Sequence, residues 1–600
     1  MPGPMGRRPS SEKVEKGTFK KSIGKLLKYC KKYWGWMIFA ISLGIVSVVT
    51  QIIGPNKIQS LIDVISNGLF YNAGNIDLAE VTKICVLLVC LYVVGALFNY
   101  GQQIITTIVT QKISKKLRQD ISAKINRMPL KYFDTHLHGD VLSRVTNDVD
   151  TVGQSLNESV GSLFSNLLLF TGVIIMMFVT EPIMAVTVIV ASFLGFAFSL
   201  IFITRSQKYF NKVQENLGEL NAHIEESYSG HNVVRLFNAE QQQKKEFDEI
   251  NTRLYKNVWK SQFMSGVMGP VMGFIGNFGY VAVCIVGAIL ASKRGVAYFG
   301  VISAFMIYVR MFSRPLSSIA QSLTSLQSAS AASKRVFDFL ESEELDDESA
   351  KNTLIENVQG NVTFDHVTFG YNPEKIIIKD FSLDVKKGQK VAIVGPTGAG
   401  KTTLVNLLMR FYEVNSGDIL VDGVSTKDIK REDVHSMFGM VLQDTWLFEG
   451  TIRENLKYNY VDVSDEQMEK VCKSVGIDHF IQTLPKGYDT VIDDAINMSA
   501  GQKQLLTIAR TMLANCPMVI LDEATSSVDT RTEVLLQQAM DKAMEGRTSF
   551  IIAHRLSTIK NADIILVLQN GDIVEKGNHE TLLAKGGAYA ELYNSQFEEE

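Results

Sequence analysis

Gly395, Gly400, Lys401 and Thr402 stand at the spacing G-x-x-x-x-G-K-[ST], and those residue types together do one kind of chemistry well. Glycines let backbone N–H groups curl around phosphate oxygens. A lysine neutralises the β and γ charge, and the hydroxyl beside it reaches a divalent cation. The loop Gly395-Pro396-Thr397-Gly398-Ala399-Gly400-Lys401-Thr402-Thr403 follows the apolar run KVAIV (390–394). It leads into TLVNLLMRFY (403–412), which is helical in period. Strand, glycine-rich turn and helix in that order distinguish a phosphate cradle from an ordinary glycine-rich turn.

Two more stretches carry chemistry. MVILDE (518–523) is an apolar run ending in two carboxylates. A buried parallel strand is apolar on both faces, and its C-terminal end is where ligands bind. Asp522 is therefore expected to hold Mg²⁺ through water, and Glu523 to polarise an attacking water. INMSAGQKQLLTIAR (496–510) reads as a helix start with Ser499 as N-cap and Leu505, Leu506, Ile508, Ala509, Met512 and Leu513 on its apolar side. Such a start also presents N–H groups to a phosphate.

The elements around these groups alternate. KVAIVG (390–395), MVILD (518–522) and SFIIAH (549–554) are short strands separated by helical stretches, the pattern of a parallel α/β sheet. GNVTFDHVTFGY and FSLDV, ahead of the first, read as a small antiparallel layer. Upstream, ESEELDDESAKN (341–352) is acidic and almost free of apolar residues, an exposed linker by composition.

Before that linker the chain changes character. It is 46% hydrophobic overall, and the apolar residues concentrate in the first half. Six segments lack charge over long distances: 34–56, 84–111, 159–180, 182–204, 261–292 and 295–309. About 20 apolar residues span a bilayer, and the first five meet that length. The sixth runs early into Arg310 and Arg314, but SAFMIYVRMF continues helically, and an even number returns the chain to its starting side. Lysine and arginine crowd the N-terminal stretch and the 112–158 connection, which puts the N-terminus and the long connections in the cytoplasm. Lys293 and Arg294 are a local exception. Gly139 and Gly230 are expected breaks between long helices. Arg310 and Arg314 are candidate functional cations or residues of a helix wall. Net charge is −3, so nothing global favours nucleic acid. The cysteines form no CxxC pair, and neither a disulfide framework nor a zinc site is expected. The division is 1–33 tail and elbow, 34–340 six-helix membrane domain, 341–354 linker and 355–600 nucleotide-binding domain.

Taken together, the motifs resemble those of ATP-binding-cassette (ABC) exporter half-transporters of the multidrug type. VLQDTWLF resembles the Q-loop, with Gln443. MSAGQ resembles the signature LSGGQ, with Ser499, Gly501 and Gln502. SSVD resembles the D-loop, with Asp529, and IIAHR the H-switch, with His554. Tyr371 of FGY resembles the aromatic that stacks on adenine. All stand in the family's order, and the resemblance covers nearly the whole chain. It implies six membrane helices followed by an α/β P-loop domain, with connections 132–150 and 230–240 as coupling helices. It implies ATP and Mg²⁺ as ligands, with Thr402, Gln443 and Asp522 on the metal. Glu523, His554 and Gln443 are the implied catalytic residues. One chain carries one cassette, so a second half-transporter must complete each ATP site. The chain departs from the family at Ala500, at Met498 and in DTVIDDAINMS, while Glu523 is intact. That combination is similar to one subunit of a heterodimeric exporter, with the homodimer as alternative. The implied activity is ATP-driven export of small amphipathic compounds across a plasma membrane of bacterial inner-membrane type, in contact with lipid. A lipid flippase and a mainly regulatory ATP-binding subunit are the other readings.

Overall fold

A computed structural model describes residues 16–71, 74–136, 138–295, 298–372, 374–396, 398–443, 445–460, 462–492, 498–522, 529–553 and 556–597. They fall into two compact units, one of 1–126 and 139–342, the other of 127–138 and 343–600.

The first unit is helical. After α1 (Lys16–Tyr29) come α2 (Trp34–Tyr71) and α3 (Leu78–Ile125), the latter N-capped by Asp77. Beyond the 127–138 excursion follow α5 (Val149–Thr180), α6 (Pro182–Ser229), α7 (His231–Leu236), α8 (Glu240–Arg294) and α9 (Tyr298–Leu340). Pro55, Pro270 and Pro315 lie inside helices, as neighbouring helices in a bundle permit. Among the described residues, 19–70, 78–125 and 138–180 are long and apolar enough to cross a membrane, and 182–194 is a shorter apolar helix. Val86, Val89, Val93 and Leu97 of α3 are exposed, so this unit turns aliphatic surface outward as a lipid-facing bundle does. Its core gathers Met177, Met184, Val283, Phe305 and Tyr308. Arg310 lies over the Tyr280 ring, 5.4 Å from its centroid, in the wall between α9 and α8. Arg294 is paired with Glu181 at 2.7 Å, so one of the two exceptional cations is neutralised within the bundle.

Gly230 does break the chain, closing α6 and preceding α7. Gly139 does not. It lies inside the short helix His138–Ser143, and the interruptions fall at Asn126–Pro129 and His136 instead. Pro129, extended at ψ 148°, supplies the break and precedes α4 (Leu130–Thr135).

The second unit carries α4, two larger sheets and the two-stranded pair of Gly450–Thr451 with Val491–Ile492. In chain order the strands are β1 (Val362–Phe369), β2 (Ile378–Val385), β3 (Lys390–Val394), β4 (Ser416–Val421), β5 (Val424–Ser425) and β6 (Phe438–Val441). Then come β7 (Gly450–Thr451), β8 (Val491–Ile492), β9 (Met518–Asp522), β10 (Thr548–Ile552), β11 (Ile564–Gln569) and β12 (Asp572–Gly577). The order β2-β1-β4-β5 makes the expected antiparallel layer. The larger sheet runs β12-β11-β3-β10-β9-β6, parallel except for β12 at its edge. β3, β9 and β10 are nearly continuous apolar runs because helices and the antiparallel layer cover both faces.

The acidic stretch at 341–352 is not uniformly exposed. Glu348 is half-buried and accepts from the Arg410 guanidinium at 2.7 Å, the Arg431 amide at 2.7 Å and the Arg431 guanidinium at 2.8 Å. Burial pushes its carboxyl up, but the Arg431 amide, Lys351 and the two guanidinia together hold it below the usual carboxylate range.

Candidate nucleotide site

β3 ends at Val394 and α10 (Lys401–Leu408) begins seven residues later. Between them Gly395, Gly398 and Gly400 take φ of +152°, +83° and +102°. Side-chain-bearing residues rarely adopt these angles, and a run of such turns gathers N–H groups on its concave side. A Cβ at Gly395 would also run into the Leu568 carbonyl oxygen. Ala399 is buried and its N–H donates to Pro396 O at 3.2 Å. Lys401 Nζ donates to Gly395 O at 2.7 Å and to Pro396 O at 3.2 Å, so the ammonium lies across the mouth of the loop. Burial pushes its pKa down, and the Asp522 charge opposes that shift without cancelling it.

Register explains why Asp522 acts on Lys401. Ile552 of β10 pairs with Ile393 on one side and with Asp522 on the other. Two strand spacings therefore separate Asp522 from Ile393, about 10 Å, at the same level of the sheet. Thr402 is exposed at the helix start. Gln443 is exposed two residues beyond β6, which borders β9. Asp522 and Gln443 stand at or just beyond the C-terminal ends of β9 and β6, and Thr402 at the start of the helix that follows β3; hard oxygen donors of this kind suit Mg²⁺.

Tyr371 is held rather than loose. Its hydroxyl lies 3.3 Å from Thr403 Oγ1 and accepts from Asn406 Nδ2 at 3.4 Å, while its ring meets Tyr412 edge-on at 4.9 Å. Asn406 and Tyr412 escaped sequence reasoning. The signal for Asn406 was its place one turn after Thr403 on the same helix.

α11 (Ala500–Leu513) begins as expected. Ser499 Oγ accepts the Gln502 N–H at 3.2 Å, and Gln502 Oε1 accepts the Ser499 N–H at 2.9 Å. Leu505, Leu506, Ile508, Ala509 and Leu513 are buried, and Met512 is half-buried. The Gln502 side chain is thus occupied in a reciprocal cap, while Gly501 is buried behind it. Asp529 caps α12 (Thr530–Met544) by accepting the Thr532 N–H at 3.0 Å, and that bond holds its carboxyl below the usual range. Thr397, Glu523 and His554 lie outside the described residues, as does most of the divergent stretch before Met498.

A helical unit of this kind followed by a P-loop α/β unit defines a membrane transporter with a nucleotide-binding cassette. The ABC transporter transmembrane region matches residues 37–316 and the ABC transporter domain residues 378–526. The chain is 44% identical over 518 residues to a fatty acid ABC transporter ATP-binding/permease protein of Mycobacterium tuberculosis (strain CDC 1551 / Oshkosh), covering 86% of this chain and 82% of the relative. It is 39% identical over 597 residues to the uncharacterized ABC transporter ATP-binding protein YfiC of Bacillus subtilis (strain 168), covering 99% and 96%. The solved structure of a bacterial Atm1-family ABC exporter with ATP bound superposes with a TM-score of 0.70 at 26% identity, over 97% of this chain and 99% of that one. The chain belongs to the ABC transporters. It is an exporter half-transporter, a transmembrane region fused to one ATP-hydrolysing cassette.

Proposed function

We propose that this chain is one half of a two-subunit exporter that moves small amphipathic, multidrug-type compounds out across the plasma membrane by alternating access. The observation that carries the reading is the glycine-lined turn with Lys401 across its mouth, placed two strands from Asp522. In it the turn's N–H groups and Lys401 hold the β- and γ-phosphates, and Tyr371 stacks on the base. Thr402, Gln443 and Asp522 hold Mg²⁺, which would neutralise the phosphate charge. Glu523 polarises the attacking water, His554 contacts the γ-phosphate, and Asp529, Ser499 and Gly501 belong to the face that meets the other subunit.

Pairing is also favoured by surface. Tyr228, Val233, Leu236 and Phe237, around α7, are 84%, 58%, 74% and 73% exposed, an apolar tip of the kind a second subunit covers. The combination, in the sequence, of Ala500 in the signature with an acidic residue at 523 favours a different partner over a second copy. In that pair this chain's Lys401 and Glu523 serve the turning-over site, and its MSAGQ faces the slower one. ATP-driven closure of the cassettes moves the 132–150 and 230–240 connections, and hydrolysis resets them with the N-terminus and cassette on the cytoplasmic side. One relative's name favours a second reading, in which the amphipathic cargo is a fatty acid.

The test is Glu523→Gln, purified with its native partner. ATP binding is retained and turnover falls to a few per cent. Near-normal turnover would remove Glu523 from the role. Co-purification from the native membrane decides the partner: a second, different cassette protein supports the heterodimer, and none supports the homodimer.

A further inference from the structure

A cavity of about 530 Å³ lies within the first unit, between α3, α5 and α9. Every residue lining it except Gly161 carries an amide, a hydroxyl or a carboxylate. The longest are Asn99, Gln102 and Gln103 of α3, Asn157, Glu158 and Asn166 of α5, and Gln321 of α9. Asn99 to Gln103 fall inside the uncharged run 84–111. Polar side chains at that depth are costly facing lipid and tolerable facing water or cargo. Turning this many inward on three helices is a built feature rather than packing.

The lining is partly self-satisfied. Gln102 Nε2 donates to Ser165 Oγ at 3.3 Å, Thr107 Oγ1 to Asn157 Oδ1 at 3.3 Å, and Gln103 Nε2 to Asn99 Oδ1 at 3.0 Å. Among the described residues Glu158 is the single ionisable group in the lining, and its carboxylate accepts Gln154 Nε2 at 2.9 Å. A carboxylate offers about four acceptor positions, so one partner leaves most of them open. Neither Arg310, stacked on Tyr280, nor Arg314 lines the cavity. The cavity therefore carries negative charge alone, and such a cleft concentrates cations.

We propose that this cavity seats the polar end of the cargo, and that the cargo is an amphipath with a cationic hydrogen-bonding head such as an amine. Glu158 is the residue that selects positive over negative charge. The inference rests on the exporter reading above and narrows its cargo; it opposes a fatty carboxylate, whose charge matches that of Glu158.

The experiment uses the full chain with its partner in phosphatidylcholine liposomes. ATP turnover is followed against decylamine, decanol and decanoate, three probes of equal chain length, and decylamine binding to the solubilised complex is measured in parallel. Decylamine should act at the lowest concentration. Glu158→Gln should raise its half-maximal concentration about tenfold, the loss of one charge-assisted contact, and shift decanol less than twofold. Glu158→Asp should keep most of the amine preference, and Gln321→Leu, which replaces a lining amide with an apolar group of similar size, should weaken both amine and alcohol. Equal potency of the three probes, no response to any of them, or a decylamine curve unmoved by Glu158→Gln overturns the proposal. Wild-type protein that binds decylamine through Glu158 but hydrolyses no ATP would instead overturn the exporter reading.

Discussion

Tyr412→Phe removes one oxygen from a contact that joins the nucleotide end of the second unit to the stretch 127–138. The Tyr412 hydroxyl donates to the Asp134 carboxylate of α4, and its ring packs edge-on against Phe369 at 5.7 Å and Tyr371 at 4.9 Å. Burial raises the phenol's pKa and the Asp134 bond raises it further, so the donor stays protonated at any working pH. Phenylalanine preserves both ring contacts and deletes only the hydrogen bond. A bond to a charged acceptor is worth up to about 3 kcal/mol, but exposed Asp134 regains water when released, so about 1–1.5 kcal/mol is the figure that applies. That is roughly a tenfold rise in the population of the undocked segment. Amide hydrogen exchange across 127–136, in the full chain with its partner, should accelerate by that factor in Tyr412→Phe. Asp134→Ala should act similarly, and the double variant should add little to either. Unchanged exchange in Tyr412→Phe, or additive effects in the double variant, would refute the idea that this bond holds the segment.

Gly395→Ala should abolish nucleotide binding, because the new methyl meets the Leu568 carbonyl in a backbone already at φ +152°; binding of a fluorescent ATP analogue reads this directly. Glu348→Ala leaves the Arg410 and Arg431 guanidinia, at 6% and 13% exposure, with Glu413 as their one remaining shared carboxylate and should cost about 1.5–3 kcal/mol, seen as a lowered melting midpoint of the cassette transition. Because the folded-state pKa of Glu348 is depressed, its stabilisation is present above the unfolded value of about 4.5 and fades as pH falls below it; Glu348→Gln should flatten that acid limb of the stability profile. Ser499→Ala removes one arm of the cap on α11 and should loosen its first turn by about 1 kcal/mol, read as roughly fivefold faster exchange of the Gln502 amide.

The parts of the site visible in the sequence are those whose chemistry is local. The glycine spacing at 395–400 dictates its own backbone, and Ser499 and Gln502 cap a helix using atoms three residues apart. The apolar runs at 390–394, 518–522 and 548–552 announce buried parallel strands because their cover is continuous. Composition misled at 341–352. An acidic average says nothing about Glu348, whose surroundings come from Arg410 and Arg431, more than sixty positions away. Gly139 misled for the opposite reason. A glycine permits a break without requiring one, whereas Pro129 restricts the residue before it and supplied the break instead.

The polar cavity was unreadable for a further reason. Asn99 with Gln102 and Gln103, Asn157 with Glu158, and Gln321 can each be read on one helix as a bundle contact as easily as a binding group. Only the packing of α3, α5 and α9 turns the amides of the three helices toward one space and leaves Glu158 there without a cation. Cargo preference in such a chain is therefore set by a charge balance across helices. A substitution on α9 that brings a cation into the lining should cancel that preference as effectively as removing Glu158: Gln321→Lys offsets the Glu158 charge and should bring decylamine to the potency of decanol, and a retained amine preference would show that the lining charge does not govern the choice.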